Sequence, residues 1–343
     1  MPAIPVIALT GYLGAGKTSL LNHVLRAPGA RIGVVINDFG DVNVDAALVT
    51  GQVDEPVSIA GGCVCCLDDD NGLDEALEKL SDPRLALDAI VVEASGLADP
   101  VAVSRLIRFS GVERIRPGGV VDVIDAVTHF DVVDRGGAPL ARYGAASLIV
   151  VNKLDQLPED RRDDEVARIE ARIRERNPDA HVVAAVGARI DPALLYDTGD
   201  ADDGSGQLSI RELLIEDAAR HAHADEPDHV HAASVTATSD GCVDPGALLD
   251  LLEDPPAGVY RLKGTVAVRA RERVRTYVVN VVGSSVHVAT APPRARANCL
   301  VAIGTHFDVD EVRARADAAV RPHDGTASAV AMRRLQRHRR LSI

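Results

Sequence analysis

The feature that most restricts the fold of this chain is a glycine-rich segment near its amino terminus, Gly11-Tyr-Leu-Gly-Ala-Gly-Lys-Thr18. It follows the apolar run 4–10 and precedes a helical pattern over 17–26, so the sequence predicts a strand, a loop and a helix in that order. Glycines let backbone N–H groups turn toward phosphate oxygens, and the helix N-terminus adds a partial positive charge. We therefore predict a nucleotide phosphate site formed by Gly11, Gly14, Ala15, Gly16, Lys17, Thr18 and Ser19.

Side chains of this loop and of a later strand are predicted to act on Mg²⁺ and on the terminal phosphate. Lys17 reaches the β- and γ-phosphates, and the Thr18 hydroxyl is placed to ligate Mg²⁺. The segment Val91-Val-Glu-Ala-Ser-Gly96 is an apolar strand that ends in an acid. After a phosphate loop, Glu93 is expected to orient the same ion, directly or through water, and the Gly96 N–H to sense the γ-phosphate.

The segment Asn152-Lys-Leu-Asp155 directly follows the apolar run 148–151 and indicates guanine as the base. A carboxylate at the edge of a sheet, here that of Asp155, can accept both the ring N–H and the exocyclic amine of guanine, and adenine offers no such pair of donors. The stem of Lys153 can pack over the base while Asn152 braces the loop. Lys17 and Lys153 are two of only four lysines in the chain, so their places in nucleotide motifs are hard to attribute to chance.

Three cysteines lie within four residues, at Cys63, Cys65 and Cys66, between the glycine loop and Glu93. Three soft donors at this spacing suit Zn²⁺, Cu(I) or a related thiophilic ion. A structural zinc site usually has four ligands, whereas three thiols with an open position suit a metal that must arrive and leave. Candidates for the fourth ligand are Asp38, another chain, water or a client protein. The alternatives are buried small side chains and a redox-sensing thiol pair.

Apolar runs alternate with helical patterns in the first 200 residues, which favours an α/β fold with a mostly parallel sheet covered by helices on both faces. From about Val230, alternating segments over 233–238, 260–269, 275–282 and 299–304, joined by tight turns, predict a smaller α+β domain with a mainly antiparallel sheet. The predicted division is a P-loop GTPase domain over 1–200, a histidine-containing linker over 201–230, the α+β domain over 231–325 and a basic tail over 326–343. The tail is interpreted as a solvated or frayed end.

Two His-x-His pairs, at His221 and His223 and at His229 and His231, lie in the linker and at its junction with the α+β domain. In an extended chain the two rings of each pair point to one side and can share a metal ion. Two interpretations stay open at this point, a polar linker and a low-affinity arm that collects metal.

The net charge of the chain disfavours two classes of partner. A formal charge of −14, from 51 acids against 37 bases, repels phosphate backbones and anionic lipid. No apolar stretch approaches the length of a membrane span, and residues 1–9 lack the basic region and cleavage site of a signal peptide. The cysteine content is typical of a reduced protein rather than of a disulfide framework. We therefore expect a cytoplasmic protein with neither nucleic acid nor membrane as a partner.

Taken together, these motifs resemble the CobW family of metal-chaperone GTPases, in the SIMIBI class of P-loop proteins. The matching segments are Thr10-Gly-Tyr-Leu-Gly-Ala-Gly-Lys-Thr-Ser-Leu-Leu-Asn-His23, Asn37-Asp-Phe-Gly40, Gly61-Gly-Cys-Val-Cys-Cys66, Glu93-Ala-Ser-Gly-Leu-Ala-Asp-Pro100 and Asn152-Lys-Leu-Asp155. Tyr260-Arg-Leu-Lys-Gly264 is similar to the signature of that family's C-terminal domain. Two features depart from the family, an acidic loop at Leu67-Asp-Asp-Asp-Asn-Gly72 and shorter histidine runs.

The resemblance implies a GTPase domain with a smaller C-terminal domain, Mg²⁺-dependent hydrolysis of GTP, and delivery of a metal ion to a client apo-protein. Zinc is the commonest proposed cargo in the family, and cobalt, for cobalamin synthesis or nitrile hydratase maturation, is the other. Analogy with SIMIBI relatives also suggests a homodimer that pairs two nucleotide sites.

The favoured hypothesis is therefore a slow GTPase in which hydrolysis gates metal transfer, with Lys17, Asp38 and Glu93 as its catalytic residues. Asp38 is the candidate for orienting the attacking water, because phosphoryl transfer needs mainly positioning and charge stabilisation. The alternatives are a metal buffer or sensor in which GTP only sets metal affinity, and a small-molecule kinase, which the guanine motif and the thiols disfavour.

Overall fold

The structure is a computed structural model that describes residues 3–26, 30–36, 57–58, 71–96, 98–138, 140–196, 232–270, 273–291 and 298–341. The described strands are β1 (Ile4–Gly11), β2 (Ile32–Ile36), β3 (Val57–Ser58), β4 (Ala89–Glu93), β5 (Ile115–Asp125), β6 (Leu148–Asn152), β7 (His181–Ala184), β8 (Ala233–Thr238), β9 (Val259–Ala270), β10 (Arg273–Val282), β11 (Ser285–Thr290) and β12 (Cys299–Gly304). The described α-helices are α1 (Lys17–Leu25), α2 (Asn71–Leu80), α3 (Pro100–Arg108), α4 (Glu159–Arg174), α5 (Pro245–Glu253), α6 (Val309–Ala319) and α7 (Ala329–Leu341).

The first sheet is parallel, with its strands in the order β3-β2-β4-β1-β5-β6-β7. Every residue of β1 is buried, as a strand covered on both faces requires. Ile7 and Leu9 share one core with α1, whereas Val6 and Ala8 pack in a second core with α2 and α3. The predicted parallel sheet with helices on both faces is confirmed.

The second sheet is antiparallel, with its strands in the order β11-β10-β9-β12-β8. Leu248 and Leu252 of α5, Val312 of α6 and Leu335 of α7 pack with the apolar side chains of this sheet in a single core. The predicted α+β domain with a mainly antiparallel sheet is therefore confirmed. Strand β11 was not predicted, because it is a short strand at the edge of the described sheet and only Val288 of its six residues is buried, so its alternation is weak.

Side chains from both domains form a continuous contact at the end of the parallel sheet opposite the glycine loop. The Tyr260 hydroxyl lies 3.0 Å from Ser147 Oγ, and the Tyr260 ring stacks on His181 with 5.2 Å between the ring centroids. His181 Nε2 lies 2.9 Å from Thr305 Oγ1 of the second domain. Burial raises the pKa of Tyr260 to about 12, so the hydroxyl remains a hydrogen-bonding group at neutral pH.

The basic tail differs from the predicted solvated or frayed end, because residues Ala329–Leu341 form the helix α7. Leu335 is completely buried, and Arg334 pairs with Asp250 and Glu253 of α5 at 2.9 and 2.7 Å. The buried Leu335 and the two ion pairs of Arg334 hold the helix in place, although its sequence is rich in arginine. None of the helices in the described ranges is long and apolar enough to cross a membrane.

The burial of three histidines predicts that the stability of the fold decreases in mild acid. Burial is the largest cause that lowers the pKa of His129, His181 and His287 to about 4. Each folded-state pKa lies below the unfolded value of about 6.5. Above pH 6.5 the rings are neutral in both states, and the free energy of unfolding has its full value. Part of that free energy is lost as the pH falls from 6.5 toward 4, because the unfolded chain takes up the protons. We expect the free energy of unfolding to fall by about 1–2 kcal/mol per histidine between pH 7 and pH 5.

Urea titrations at the two pH values would measure this loss. His129→Gln, at the most deeply buried of the three rings, should lower the stability at pH 7 and also reduce its pH dependence. An unchanged pH dependence in a folded His129→Gln protein would show that the ring does not contribute.

Candidate nucleotide-binding site

The parallel register brings the predicted nucleotide residues to one edge of the first sheet. Leu9 pairs with Glu93 of β4, Gly11 pairs with Val123 of β5, and the last residues of β5 and β6 pair with each other. Because these strands are parallel, the segments that follow their carboxyl ends all start at the same edge. The phosphate-loop, magnesium and guanine motifs therefore converge, although 144 positions separate Gly11 from Asp155.

The glycine loop is an open turn that Asn152, at the end of β6, contacts on one side. The Ala15 N–H donates to the Tyr12 carbonyl at 3.1 Å, and Gly16, with φ of +108°, is the N-cap of α1. A Cβ on Gly16 would lie 2.4 Å from Asn152 Nδ2, so only glycine fits there. A Cβ on Gly14 would meet no atom within 4 Å, so this side of the loop offers open space for phosphate oxygens.

The Lys17 ammonium lies inside the loop. Its Nζ donates to the Gly11 carbonyl at 3.0 Å, and the residue is only 9% exposed. A cation held at a helix N-terminus, beside an open glycine turn, forms a site that favours polyphosphate. The residues present therefore fit the β- and γ-phosphates of a nucleotide.

Thr18 and Glu93 lie together at the mouth of the loop. The Thr18 hydroxyl donates to Glu93 Oε1 at 3.1 Å, and Glu93 is 2% exposed. A hydroxyl and a carboxylate at this distance are the hard oxygen donors that Mg²⁺ prefers, so the pair fits the ion. Gly96 packs closely against the glycine loop: a Cβ at Gly96 would come within 2.8 Å of Leu13 N.

Asn152 joins three segments of the site. Its Nδ2 donates to the Ala15 carbonyl at 2.9 Å, and its Oδ1 accepts from the Ala188 N–H at 2.7 Å. The side chain is buried, so these two hydrogen bonds hold the glycine loop and the segment after β7 in one fixed arrangement. Asn152 thus lies between the glycine loop and the segment after β7 and contacts both of them.

Lys153 and Asp155 follow Asn152 on a tight turn. Lys153 has φ of +66°, and its Nζ donates to Asp125 Oδ2 at 2.8 Å. Asp155 is exposed, and its Oδ1 accepts from the Gly187 N–H at 3.3 Å. The carboxylate that is proposed to recognise guanine is thus accessible and bordered by a backbone donor.

Residues that the sequence analysis missed are Asp125 and the turn after β7. Gly187 and Ala188 both have φ of +58°, so the turn points two consecutive N–H groups at Asp155 and Asn152. A glycine followed by alanine shortly after an apolar strand was the available signal, but two small residues are too common to be diagnostic. Asp125 offered no signal, because its partner Lys153 lies 28 positions away.

The turn continues into a segment that contacts both the phosphate-loop helix and the second domain. The Ile190 carbonyl lies 2.9 Å from His23 Nε2, and the Tyr196 hydroxyl donates to the Val24 carbonyl at 2.9 Å. Asp191 Oδ2 accepts from the Ala232 N–H at 3.0 Å, just before β8. The part of the site that contains Asn152 and Asp155 is therefore connected to α1 and to the start of the C-terminal domain.

Several predicted residues lie outside the described ranges. They are Asp38, the thiols Cys63, Cys65 and Cys66, the acidic loop over 67–70 and the histidines His221, His223, His229 and His231. Within the part of the chain that the structure does describe, no three His, Cys, Asp or Glu side chains lie close enough together to hold a metal ion.

Two family models match the chain. The CobW/HypB/UreG nucleotide-binding domain matches residues 5–184, and the C-terminal domain of the cobalamin synthesis protein CobW matches residues 232–320. The zinc chaperone YjiA of Escherichia coli (strain K12) is 32% identical over 206 residues, which are 58% of this chain and 62% of that protein. The chain thus spans less than two thirds of this relative.

A second relative, the zinc chaperone CobW of Sinorhizobium sp, is 29% identical over 91% of this chain and 96% of its own length. The crystal structure of the Zn(II)-bound YjiA GTPase from E. coli aligns over 94% of this chain and 100% of that one, at 22% identity and a TM-score of 0.43. The first family model covers more than half of the chain and coincides with the strands and loops that form the site. The chain therefore belongs to the CobW/HypB/UreG family of P-loop GTPases, as its motifs predicted.

Proposed function

We propose that this GTPase is a metallochaperone that carries Zn²⁺ on Cys63, Cys65 and Cys66 and delivers it to client apo-proteins, with GTP hydrolysis gating release. The observation that carries the proposal is the convergence of phosphate, Mg²⁺ and guanine residues at the sheet edge where β2 and β4 also end. The three thiols lie in the chain between those two strands. The relatives named as zinc chaperones support zinc as the cargo, and cobalt is the alternative.

In this proposal each described residue of the site has a defined task. Lys17 neutralises charge on the β- and γ-phosphates, while the backbone from Gly14 to Ser19 donates hydrogen bonds to their oxygens. Thr18 and Glu93 hold Mg²⁺, which when bound neutralises the charge that develops on the phosphates. Asp155 recognises the guanine edge, and Lys153 covers the face of the base.

The switching step depends on segments that touch the γ-phosphate. Gly96 lies against the glycine loop, so its N–H can report whether the third phosphate is present. Asp38 follows the end of β2 by two residues, and Ile36 of β2 pairs with Glu93. We assign Asp38 to orienting the attacking water. Loss of the γ-phosphate would then change the segment between β2 and β4, which contains the thiols.

The three thiolates form a strong site for a dication and leave one position open for a ligand from the client. They must be deprotonated to bind, so metal affinity should fall as the pH falls. A reduced thiol site also requires a reducing compartment, which supports the cytoplasm as the place of action. The partner in this proposal is an apo-protein whose own site binds zinc.

We expect one Zn²⁺ per chain, with an affinity that differs about tenfold between the GTP and GDP states. Linkage requires zinc to change the affinity for GTP by the same factor. Competitive chelator titrations with a non-hydrolysable GTP analogue and with GDP would measure the difference. The triple variant Cys63→Ser, Cys65→Ser, Cys66→Ser should not bind zinc. Cys299→Ser, in β12, is the matched control.

Equal zinc affinities in the two nucleotide states would favour a passive buffer. A transfer assay separates the functions further, because a chaperone should load a client apo-protein with GTP and fail to do so with the non-hydrolysable analogue. Equal loading under both conditions would contradict gating by hydrolysis.

A further inference from the structure

We propose that Asp125 is a positioning residue of the guanine site, which holds the Lys153 side chain in the place where it covers the base. This inference rests on the proposed GTP site. Asp125 is the last residue of β5, and its backbone pairs with Asn152, the last residue of β6. The two strand ends therefore place the Asp125 carboxylate beside the residue that follows Asn152.

The Asp125 carboxylate ties together the two loops that leave these strands. Its Oδ2 accepts from Lys153 Nζ at 2.8 Å, and its Oδ1 accepts from the Val127 N–H at 2.9 Å. The Ala126 N–H donates in addition to the Asn152 carbonyl at 3.0 Å. The acceptor of the lysine is thus fixed to the same backbone that carries the guanine motif.

The Lys153 side chain is held in position at both of its ends. At one end the backbone has φ of +66°, a conformation that residues with a side chain rarely adopt, and the Gln156 N–H donates to the Lys153 carbonyl at 3.0 Å. At the other end the ammonium is held by Asp125, and the side chains of the pair are only 25% and 14% exposed. A lysine fixed at both ends loses little rotamer freedom when its methylene groups pack over a base.

The pair is ionic at neutral pH. Burial alone would raise the pKa of Asp125, but the hydrogen bond from Lys153, the Val127 N–H and the charge of Lys153 together hold that pKa below its ordinary value. The contact is partly shielded from water, so it is stronger and less sensitive to salt than a surface pair. Asp125 therefore pre-organises Lys153 without itself being one of the four residues of the guanine motif.

The test compares nucleotide affinity and turnover in matched variants. Asp125→Asn keeps the size of the side chain and removes its charge, and Asp131→Asn makes the same change at an exposed acid of the following turn. Calorimetric titration should show GDP and GTP binding to Asp125→Asn about 5- to 10-fold more weakly, by the same factor for both nucleotides. The turnover number at saturating GTP should stay within about twofold, since the phosphate residues are untouched. Asp131→Asn should bind as the wild type does, and Asp125→Glu should recover part of the loss.

A double-mutant cycle distinguishes positioning from a general effect on the fold. In the Lys153→Met background, Asp125→Asn should cause no further loss of affinity, because there is no ammonium left to hold. Full additivity, or wild-type affinity in Asp125→Asn, would overturn the positioning role alone. Wild-type GTP affinity in Lys153→Met would overturn both this role and the assignment of the guanine site.

Discussion

Asp155→Asn should abolish the preference of this protein for GTP over ATP. One carboxylate can accept two hydrogen bonds from guanine, whereas an asparagine at the same place presents an amide NH₂ group, itself a donor, to one of the two guanine donors. Leaving polar groups of the site and the ligand unmatched in the complex is how large discrimination between similar ligands arises. We expect the wild type to prefer GTP by about 100-fold or more, and the variant to bind the two nucleotides within about tenfold of each other.

Asp155→Asn also retains an oxygen that can accept from the Gly187 N–H, so the turn after β7 should keep its position. Competition titrations of GTP and ATP against a fluorescent guanine nucleotide would measure the ratio. Asp163→Asn, at an exposed position of α4, is the matched control and should keep the wild-type preference. Equal GTP and ATP affinities in the wild type itself would refute the guanine assignment.

Lys17→Ala should reduce GTP hydrolysis by about a thousandfold or more, since catalysis of phosphoryl transfer consists mainly of positioning and charge stabilisation. Lys17 is the ammonium inside the glycine loop, 3.0 Å from the Gly11 carbonyl. The thiols proposed to bind zinc are different residues, so zinc binding by Lys17→Ala should remain at one ion per chain. Single-turnover release of phosphate and metal analysis of the purified protein provide the two readouts.

Lys79→Ala, at an exposed position on α2, is the matched control for loss of a lysine and should hydrolyse GTP at the wild-type rate. A folded Lys17→Ala protein that binds no zinc would show that the nucleotide and metal sites are a single site. Hydrolysis near the wild-type rate in that variant would remove Lys17 from the mechanism.

Together the two variants separate the tasks of the site. In the proposed site, Asp155 selects the base and Lys17 acts on the phosphates. They follow strands that are not adjacent in the sheet, since β5 lies between β1 and β6, and Asn152 bridges the gap. An effect of one variant on the task of the other would therefore pass through Asn152, which contacts both the glycine loop and the turn after β7.

The residues that could be predicted from the sequence are those whose chemistry depends on local spacing. The glycine loop, Glu93 at a strand end and the Asn152–Asp155 segment are each recognisable from a few consecutive residues, although their contacts with one another, such as that from Thr18 to Glu93, join residues 75 positions apart. Strand β8 and strand β12 were predicted with their observed bounds, because alternation along a half-buried strand is a local pattern.

The sequence by itself thus determined the family and the two kinds of sheet, and it predicted the residues offered to phosphate, Mg²⁺ and guanine. Only the tertiary structure decided that Asp125 holds Lys153, that Asn152 joins the glycine loop to Ala188, and that the basic tail docks as α7 against α5. The physical reason is that these contacts join residues from 28 to 137 positions apart in the chain. Pairing at that separation is set by strand order and register, which leave no periodic trace in a single sequence.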